Sequence, residues 1–299
     1  MGKFAIITDS SSDLARDLRE KYDVDLICAR CFIDDKEYES DPDWENISMT
    51  DFYDRLRKGE RIRTSQISNV KCAEVFEKHL KEGNDILSIS CATALSNGYS
   101  ITCVARDELL KKYPERKIVC IDSKNASGGL GLLVMKASML RAEGKSLEET
   151  ANWVENNRKY INQEGSVDKL SYLKQAGRVS AAAAFFGGLL NIKPLIISDV
   201  HGYNVAVEKV KGRKTSIDRT VERVVENYTG EGIPYVIINH TQCEDVALEL
   251  KQMIMAKLNL NDDQVLIGNV AGAMGASVGP GMFGVYCFGK EVTYDSKVK

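Results

Sequence analysis

The sequence predicts an α/β protein of two domains, an N-terminal domain built on a parallel sheet and a C-terminal mixed α+β domain. Three observations lead there. Short β-rich runs alternate with helical patterns through the first half, the signature of parallel strands joined by helical crossovers. In the second half, pairs of strands flank single helices, which suits a mixed sheet. The chain has 299 residues, and at roughly 100 to 200 residues per domain that length favours two units.

Phe4 to Thr8 reads as the first strand and Ser12 to Lys21 as a helix with a Ser/Asp-rich start. Val24 to Ile33 reads as one extended segment, with a hairpin to Lys36–Tyr38 around Asp34-Asp35. Helices follow at Met49–Lys58 and Val70–Glu82, a strand at Asp85–Ser90, a helix at Asn97–Lys112 and a strand at Lys117–Asp122. Gly128 to Glu143 is a long apolar helix, and Ser146 to about Tyr160 a polar one. Asn162-Gln163-Glu164-Gly165 reads as the boundary, dividing the chain into 1–164 and 165–299. Beyond it come a helical Ser171–Gln175, an Ala/Phe-rich helix to Leu190, and strands at Lys193–Asp199 and Asn204–Val210. A helix at Ser216–Tyr228, a strand at Tyr235–Asn239, a helix at Glu244–Leu258 and strands at Gln264–Val270 and Met282–Phe288 complete the pattern.

Composition narrows the function classes. Hydrophobic residues at 43% and charged residues at 28% describe a folded chain, not a disordered one. Forty basic side chains against 43 acidic ones leave a net charge of -3, which gives no electrostatic case for binding nucleic acid. No apolar run approaches the roughly 20 residues that span a bilayer, and no signal peptide precedes the first strand, so a cytoplasmic protein is expected. The eight cysteines lie in apolar surroundings and read as reduced core residues. Cys28 and Cys31 form the one close pair; on a continuous strand, residues three apart face opposite ways, so they could not share a metal.

The turns that carry chemistry follow the first-domain strands, where open α/β sheets bind ligands. They are Thr8 to Asp13, Thr93 to Tyr99, and Asp122-Ser123 with Ser127 to Gly129; each is hydroxyl-rich and opens a helix. Helix capping accounts for Ser12 and Asp13 taken alone. Three such turns on one sheet edge, joined by Thr64-Ser65-Gln66-Ile67-Ser68, suit a shared anion-binding rim. Nucleotide motifs are absent, since Gly129-Leu130-Gly131-Leu132 lacks the third glycine of a dinucleotide fingerprint. His79, on a charged helix, and His201, in a hairpin turn, are expected at the surface; His240 ends a strand, but no nucleophile motif accompanies it. Two stretches remain: Leu170 to Ser180, with Gly177-Arg178 before an apolar helix, and the glycine-dense loop Gly275 to Gly281.

These pieces resemble the DegV family, in family order and over nearly the whole chain. The opening T-D-S turn with D-L spans Thr8 to Leu14, T-S-Q-x-S spans Thr64 to Ser68, and L-S-x-x-Y spans Leu95 to Tyr99. The D-S turn with S-x-G runs from Asp122 to Gly129, and V-D-x-L-x-Y-L-K-x-x-G-R-x-S from Val167 to Ser180. Leu190 to Pro194 and Val278 to Gly281 close the match. Members of that family bind fatty acids and include the fatty-acid-binding subunits of bacterial fatty acid kinase. The resemblance therefore implies a DegV-like fold with an acyl chain buried between the domains and no other cofactor. It implies that Thr64, with Ser65 beside it, and Ser96 hold the carboxylate, and that Arg178 belongs to the head-group neighbourhood. Family members usually carry a histidine two residues before G-P-G, where this chain has Ser277, and L-S-G-T-Y is here interrupted by Asn97-Gly98. Serine does not titrate near neutral pH, so from this position fatty acid affinity is expected to be nearly flat between pH 6 and 8, with Ser277→His introducing pH dependence.

An acyl tail gains roughly 0.8 kcal/mol per buried methylene, and Ala182 to Phe186 with Leu189 and Leu190 could line its path. The carboxylate costs several kcal/mol to bury unless it is hydrogen-bonded, which suits clustered hydroxyls and an arginine. The expected role is a carrier without catalytic residues or metal, which binds a long-chain fatty acid and presents it to a separate ATP-dependent fatty acid kinase. The alternative is an enzyme or binding domain for a small polar substrate in the interdomain cleft, with His240 or Ser96 taking part.

Overall fold

The computed structural model describes residues 3–179 and 191–298. Strands β1 (Phe4–Asp9), β2 (Val24–Ile27), β6 (Asp85–Ser90) and β7 (Ile118–Asp122) form a parallel sheet in the order β2-β1-β6-β7. All six residues of β1 are buried, as expected of a parallel strand covered on both faces. Helices α1 (Arg16–Tyr22), α3 (Asn69–Lys81), α4 (Gly98–Lys112), α5 (Ser127–Ala142) and α6 (Leu147–Asn157) make the crossovers and flanks. A small antiparallel sheet, β4-β3-β5, is built from β3 (Ala29–Ile33), β4 (Lys36–Ser40) and β5 (Arg63–Ser65), with α2 (Met49–Arg57) against it.

The second half carries a six-stranded sheet in the order β10-β9-β8-β13-β11-β12. Its strands are β8 (Ile161–Ser166), β9 (Ile192–Ser198), β10 (Asn204–Lys211), β11 (Val236–His240), β12 (Val265–Asn269) and β13 (Phe283–Phe288). Only β11 and β12 pair in parallel, so the sheet is mixed as expected. Helices α8 (Arg213–Asn227) and α9 (Glu244–Leu258) cover one face, and the short α7 (Leu170–Ala176) and α10 (Gly272–Val278) lie together beside the small sheet.

Helix α5 joins the two large sheets. Twelve of its 16 residues are buried, so it has no solvent face to speak of. Leu130, Leu133 and Val134 share one core with Ile6, Leu87 and Ile89 of the parallel sheet and with Ile237, Tyr286 and Phe288 of the mixed sheet. Its start lies so close to the mixed sheet that a Cβ on Gly128 would stand 2.5 Å from Tyr286 Cδ2 and 2.7 Å from Ile237 Cγ2. Only glycine fits there.

Several sequence expectations are corrected. Val24 to Ile33 is not one strand: it breaks at Cys28, and the Ala29 N–H donates to Ser10 Oγ at 3.0 Å as the chain leaves one sheet for another. Helix α1 starts at Arg16 instead of Ser12, because Ser10–Ser12 form a tight 3-10 turn that ends with Asp13 in the left-handed region. Asp43, not Ser12 or Asp13, accepts the Arg16 N–H, at 2.8 Å. Asn162 to Gly165, read as the boundary, lies inside β8, an interior strand of the mixed sheet, because Glu164 and its neighbours hydrogen-bond β13 and β9. Residues 275–278 are helical, within α10; small side chains let this helix approach α2 until a Cβ on Gly275 would collide with the Tyr53 ring. His79 is largely buried and paired with Asp25, and His201 is half-buried 3.2 Å from Asp295. The Ala/Phe-rich segment to Leu190 lies outside the described residues. All eight cysteines are unpaired, six of them buried. Among the described residues, no helix is long and apolar enough to cross a membrane.

Glu164 is the strongest electrostatic commitment in the mixed sheet. Its side chain is 4% exposed and takes both Arg223 Nε (2.6 Å) and Nη2 (3.2 Å), with Asn227 Nδ2 at 2.9 Å. Burial raises its pKa while the guanidinium opposes the rise. Arg223→Met strands this carboxylate and is expected to cost about 3–5 kcal/mol in urea denaturation at pH 7. Adding Glu164→Leu to that variant restores most of the loss.

Candidate functional site

The loops after β1, β6 and β7 converge at the carboxyl edge of the parallel sheet, as the sequence predicts. They are stitched together by their own polar groups. Asp9 accepts the Ser11 N–H through Oδ1 and the Cys91 N–H through Oδ2, both at 2.9 Å, tying the first loop to the second. Thr93 Oγ1 donates to Asp122 Oδ2 at 2.7 Å, tying the second to the third. Ser127 Oγ donates to Asp13 Oδ2 at 2.5 Å, and the Ala271 N–H, just before α10, donates to Asp13 Oδ1 at 2.8 Å. Much of the hydroxyl-rich character thus serves the scaffold.

What remains free lines a cavity of about 380 Å³, within the range of small-ligand sites. Thr64, Ser65, Ser96, Arg178 and Ser277, the five residues singled out from the sequence, all lie on its wall. A second cavity of about 770 Å³ adjoins it and shares Thr64, Ser65, Arg178 and Ser277. Ala29, Leu95, Ala126, Leu173, Met274 and Val278 supply apolar wall to the smaller cavity, and Ser11, Gln66 and Asn204 add polar wall to that of the five. Residues before 164 and after 165 both contribute.

Each polar residue is placed by a local cause. Thr64 and Ser65 end β5, paired with Cys31 and Arg30 of β3; Thr64 is exposed and Ser65 half-buried. Ser65 Oγ lies 3.3 Å from the Gln66 carbonyl oxygen. Ser96 Oγ accepts the Gly98 N–H at 3.2 Å, which leaves its own proton free to donate to a ligand. Arg178 follows the turn at Gly177, where its N–H bonds back to Leu173 O at 2.9 Å. Its Nε donates to Leu95 O at 3.1 Å and its Nη1 to Ala176 O, so the guanidinium is anchored beside Ser96 while remaining exposed. Ser277 occupies the last turn of α10, and its Oγ donates to Ala273 O at 3.4 Å within the same helix.

Burial pushes the Cys91 thiol well above its usual range, so this cavity-lining cysteine is a neutral wall group. His240 is not on the wall of either cavity; its Nδ1 accepts the Cys243 N–H at 3.3 Å, and burial lowers its pKa. The sequence reading did not anticipate Met274 or Asn204. Both come from elements whose approach to the first-half loops depends on tertiary packing, and no local pattern signals it.

The family model DegV, described as "Uncharacterised protein, DegV family", matches residues 3–290. The chain belongs to the DegV family. A DegV domain-containing protein of Clostridium perfringens is 35% identical over 289 residues, covering 97% of this chain and 98% of that one. A solved DegV structure from Thermus thermophilus, described by its fatty acid binding, superimposes with a TM-score of 0.85 at 27% identity, covering 96% of this chain and all of that one. A fatty acid binding DegV family protein from Streptococcus agalactiae does so with a TM-score of 0.79 at 28% identity, covering 96% and 99%. The α/β layout of a parallel and a mixed sheet is the DegV fold.

Because the Ser277 hydroxyl is already satisfied by its own helix, Ser277→Ala is expected to leave stability within about 0.5 kcal/mol of the parent in thermal or urea unfolding. A larger loss would mean that the hydroxyl holds α10 against another element.

Proposed function

We propose that this DegV protein binds a long-chain fatty acid between the half built on the parallel sheet and the half built on the mixed sheet, with its carboxylate at Thr64, Ser65 and Ser96. Arg178 and Ser277 border that position. One observation carries the reading: the five candidate residues line a single cavity whose wall combines polar groups with apolar side chains. A fatty acid has that division of chemistry, a single anionic end on an apolar chain, and solved relatives above 25% identity are described as fatty-acid-binding. No cofactor is required for binding.

The exposure of Thr64 and Arg178 supports a carrier. A carboxylate held there faces solvent, where a separate ATP-dependent kinase could reach it, while the chain stays covered. Such a carrier needs no nucleotide motif and no activated nucleophile of its own, and the location expected for it is the cytoplasm. The alternative, an enzyme for a small polar substrate, loses its best base because His240 lies away from both cavities.

Protein purified from bacteria is expected to carry fatty acid in roughly stoichiometric amount, measured by solvent extraction and gas chromatography or by native mass spectrometry. Absence of lipid together with failure to take up added fatty acid would refute the reading. Ser96→Ala and Thr64→Val are each expected to weaken binding of a fluorescent fatty acid by about 1–3 kcal/mol, through loss of a donor to a charged group, without unfolding the protein. Unchanged affinity in the double variant would move the head group elsewhere.

A further inference from the structure

Behind the cavity lies a carboxyl group that the binding site does not use. Asp13 is 3% exposed, and its two oxygens take the Ala271 N–H and the Ser127 hydroxyl. Both donors stand next to cavity wall: Ala126 precedes Ser127, and Ala273 and Met274 follow Ala271. Ser11, two residues before Asp13, lines the cavity as well.

Among the described residues, the titratable groups that act on Asp13 come from several elements, and none of them is a cation; the guanidinium of Arg19, on α1, spends its Nε on Leu14 O and pairs with Asp43. Asp9, also buried, lies on β1; Tyr53 comes from α2, Cys91 from the loop after β6, and Tyr286 from β13. Helices α5 and α10 face it with a serine hydroxyl and a backbone N–H. A buried carboxylate without a counter-charge is held by hydrogen bonds alone, and any further negative charge nearby favours its neutral form. Burial already pushes its pKa up to about 7, with the Ala271 and Ser127 hydrogen bonds opposing the rise and Asp9 adding to it.

We propose that Asp13 couples ligand binding to proton uptake: an anionic head group entering the cavity draws a proton onto this buried carboxyl. The inference rests on the fatty-acid reading above. When Asp13 is protonated, its Oδ2–H donates to Ser127 Oγ and Oδ1 keeps the Ala271 N–H, so the wall formed by α5 and α10 stays in place while the charge behind it disappears. The bound carboxylate then meets one buried negative charge fewer. Because the proton is taken up on binding, affinity is highest on the acidic side and falls as pH rises through 7.

The test is calorimetric titration of oleic acid into the full chain, first stripped of lipid, at pH 7 in phosphate and in Tris, whose ionisation enthalpies differ widely. The expected result is buffer-dependent heat equivalent to about 0.3 to 0.5 proton taken up, with affinity falling about two- to fivefold between pH 7 and 8, since a carboxyl half-protonated at pH 7 can take up no more than about half a proton there. Asp13→Asn keeps an oxygen for Ala271 and offers its amide to Ser127; it should bind with buffer-independent heat and a flatter pH profile. Equal heats in the two buffers for the parent protein, or the same uptake in Asp13→Asn, overturn the coupling. Failure of oleic acid to bind at any pH removes the fatty-acid reading and the coupling with it, whereas binding without proton uptake removes the coupling alone. A melting profile without ligand gives a second readout. A folded-state pKa above the ordinary one contributes stability that is fully present below about pH 4 and declines as pH rises to 7. Asp13→Asn should lose that component of the slope, and an unchanged slope would overturn the proposal even if the variant is less stable overall.

Discussion

Burial of α5 on all sides is the constraint on which the rest of the structure depends. An ordinary crossover helix covers one sheet and shows its other face to water. This one is pressed between the parallel sheet and the mixed sheet, and the same leucine and valine side chains belong to a core that both sheets share. Neither sheet could keep its apolar face dry without it. The requirement extends to single atoms, since the approach of Tyr286 and Ile237 leaves no space for a Cβ at position 128. Two halves that share a core in this way are held in fixed relation, and a cavity formed between them inherits that geometry.

The position of the cavity follows. Parallel strands carry their connecting loops to one edge, and α5 begins at that edge with Ala126 and Ser127. The mixed sheet, docked on the other side of α5, brings α10 and the turn around Arg178 to the same place. Polar groups there divide into two sets. Asp9, Thr93, Asp122, Asp13 and Ser127 are consumed in holding the loops to each other and to α10. Ser96 and Thr64 retain hydroxyls that can turn to a ligand, and Arg178 spends its guanidinium bonds on Leu95 and Ala176 carbonyls without meeting a carboxylate. A guanidinium fixed by neutral acceptors keeps its full charge available to an anion.

Strand–helix alternation was legible because its causes are local: buried strands are continuous apolar runs, and helices repeat at their own period. Motif order singled out five candidate residues, and all five line the same cavity. What was not legible depends on partners distant in sequence. The break at Cys28 needs Ser10 to accept the Ala29 N–H; β5 has three residues and pairs only because β3 lies beside it. Gly275 reads as the start of a loop, yet here it and Gly272 let a short helix press against Tyr53 and Cys31. His79 reads as solvated because its helix is charged, but Asp25, 54 residues away, buries and pairs it.

Asp13 shows why scaffold and site cannot be separated in this molecule. Its left-handed backbone ends the 3-10 turn after β1, which places the carboxyl between the first residue of α5 and the residue before α10. A neutral residue could make two hydrogen bonds there, so connecting the elements does not by itself require a carboxyl. The acid brings a charge that burial opposes and that Asp9, Tyr53 and Tyr286 cannot balance. That cost is borne in the empty protein and is relieved by a proton, whose affinity for the carboxyl rises with every negative charge that enters the cavity. Under the proposed coupling the cavity would respond to pH through its wall, even though the serines and the threonine that line it do not titrate near neutral pH.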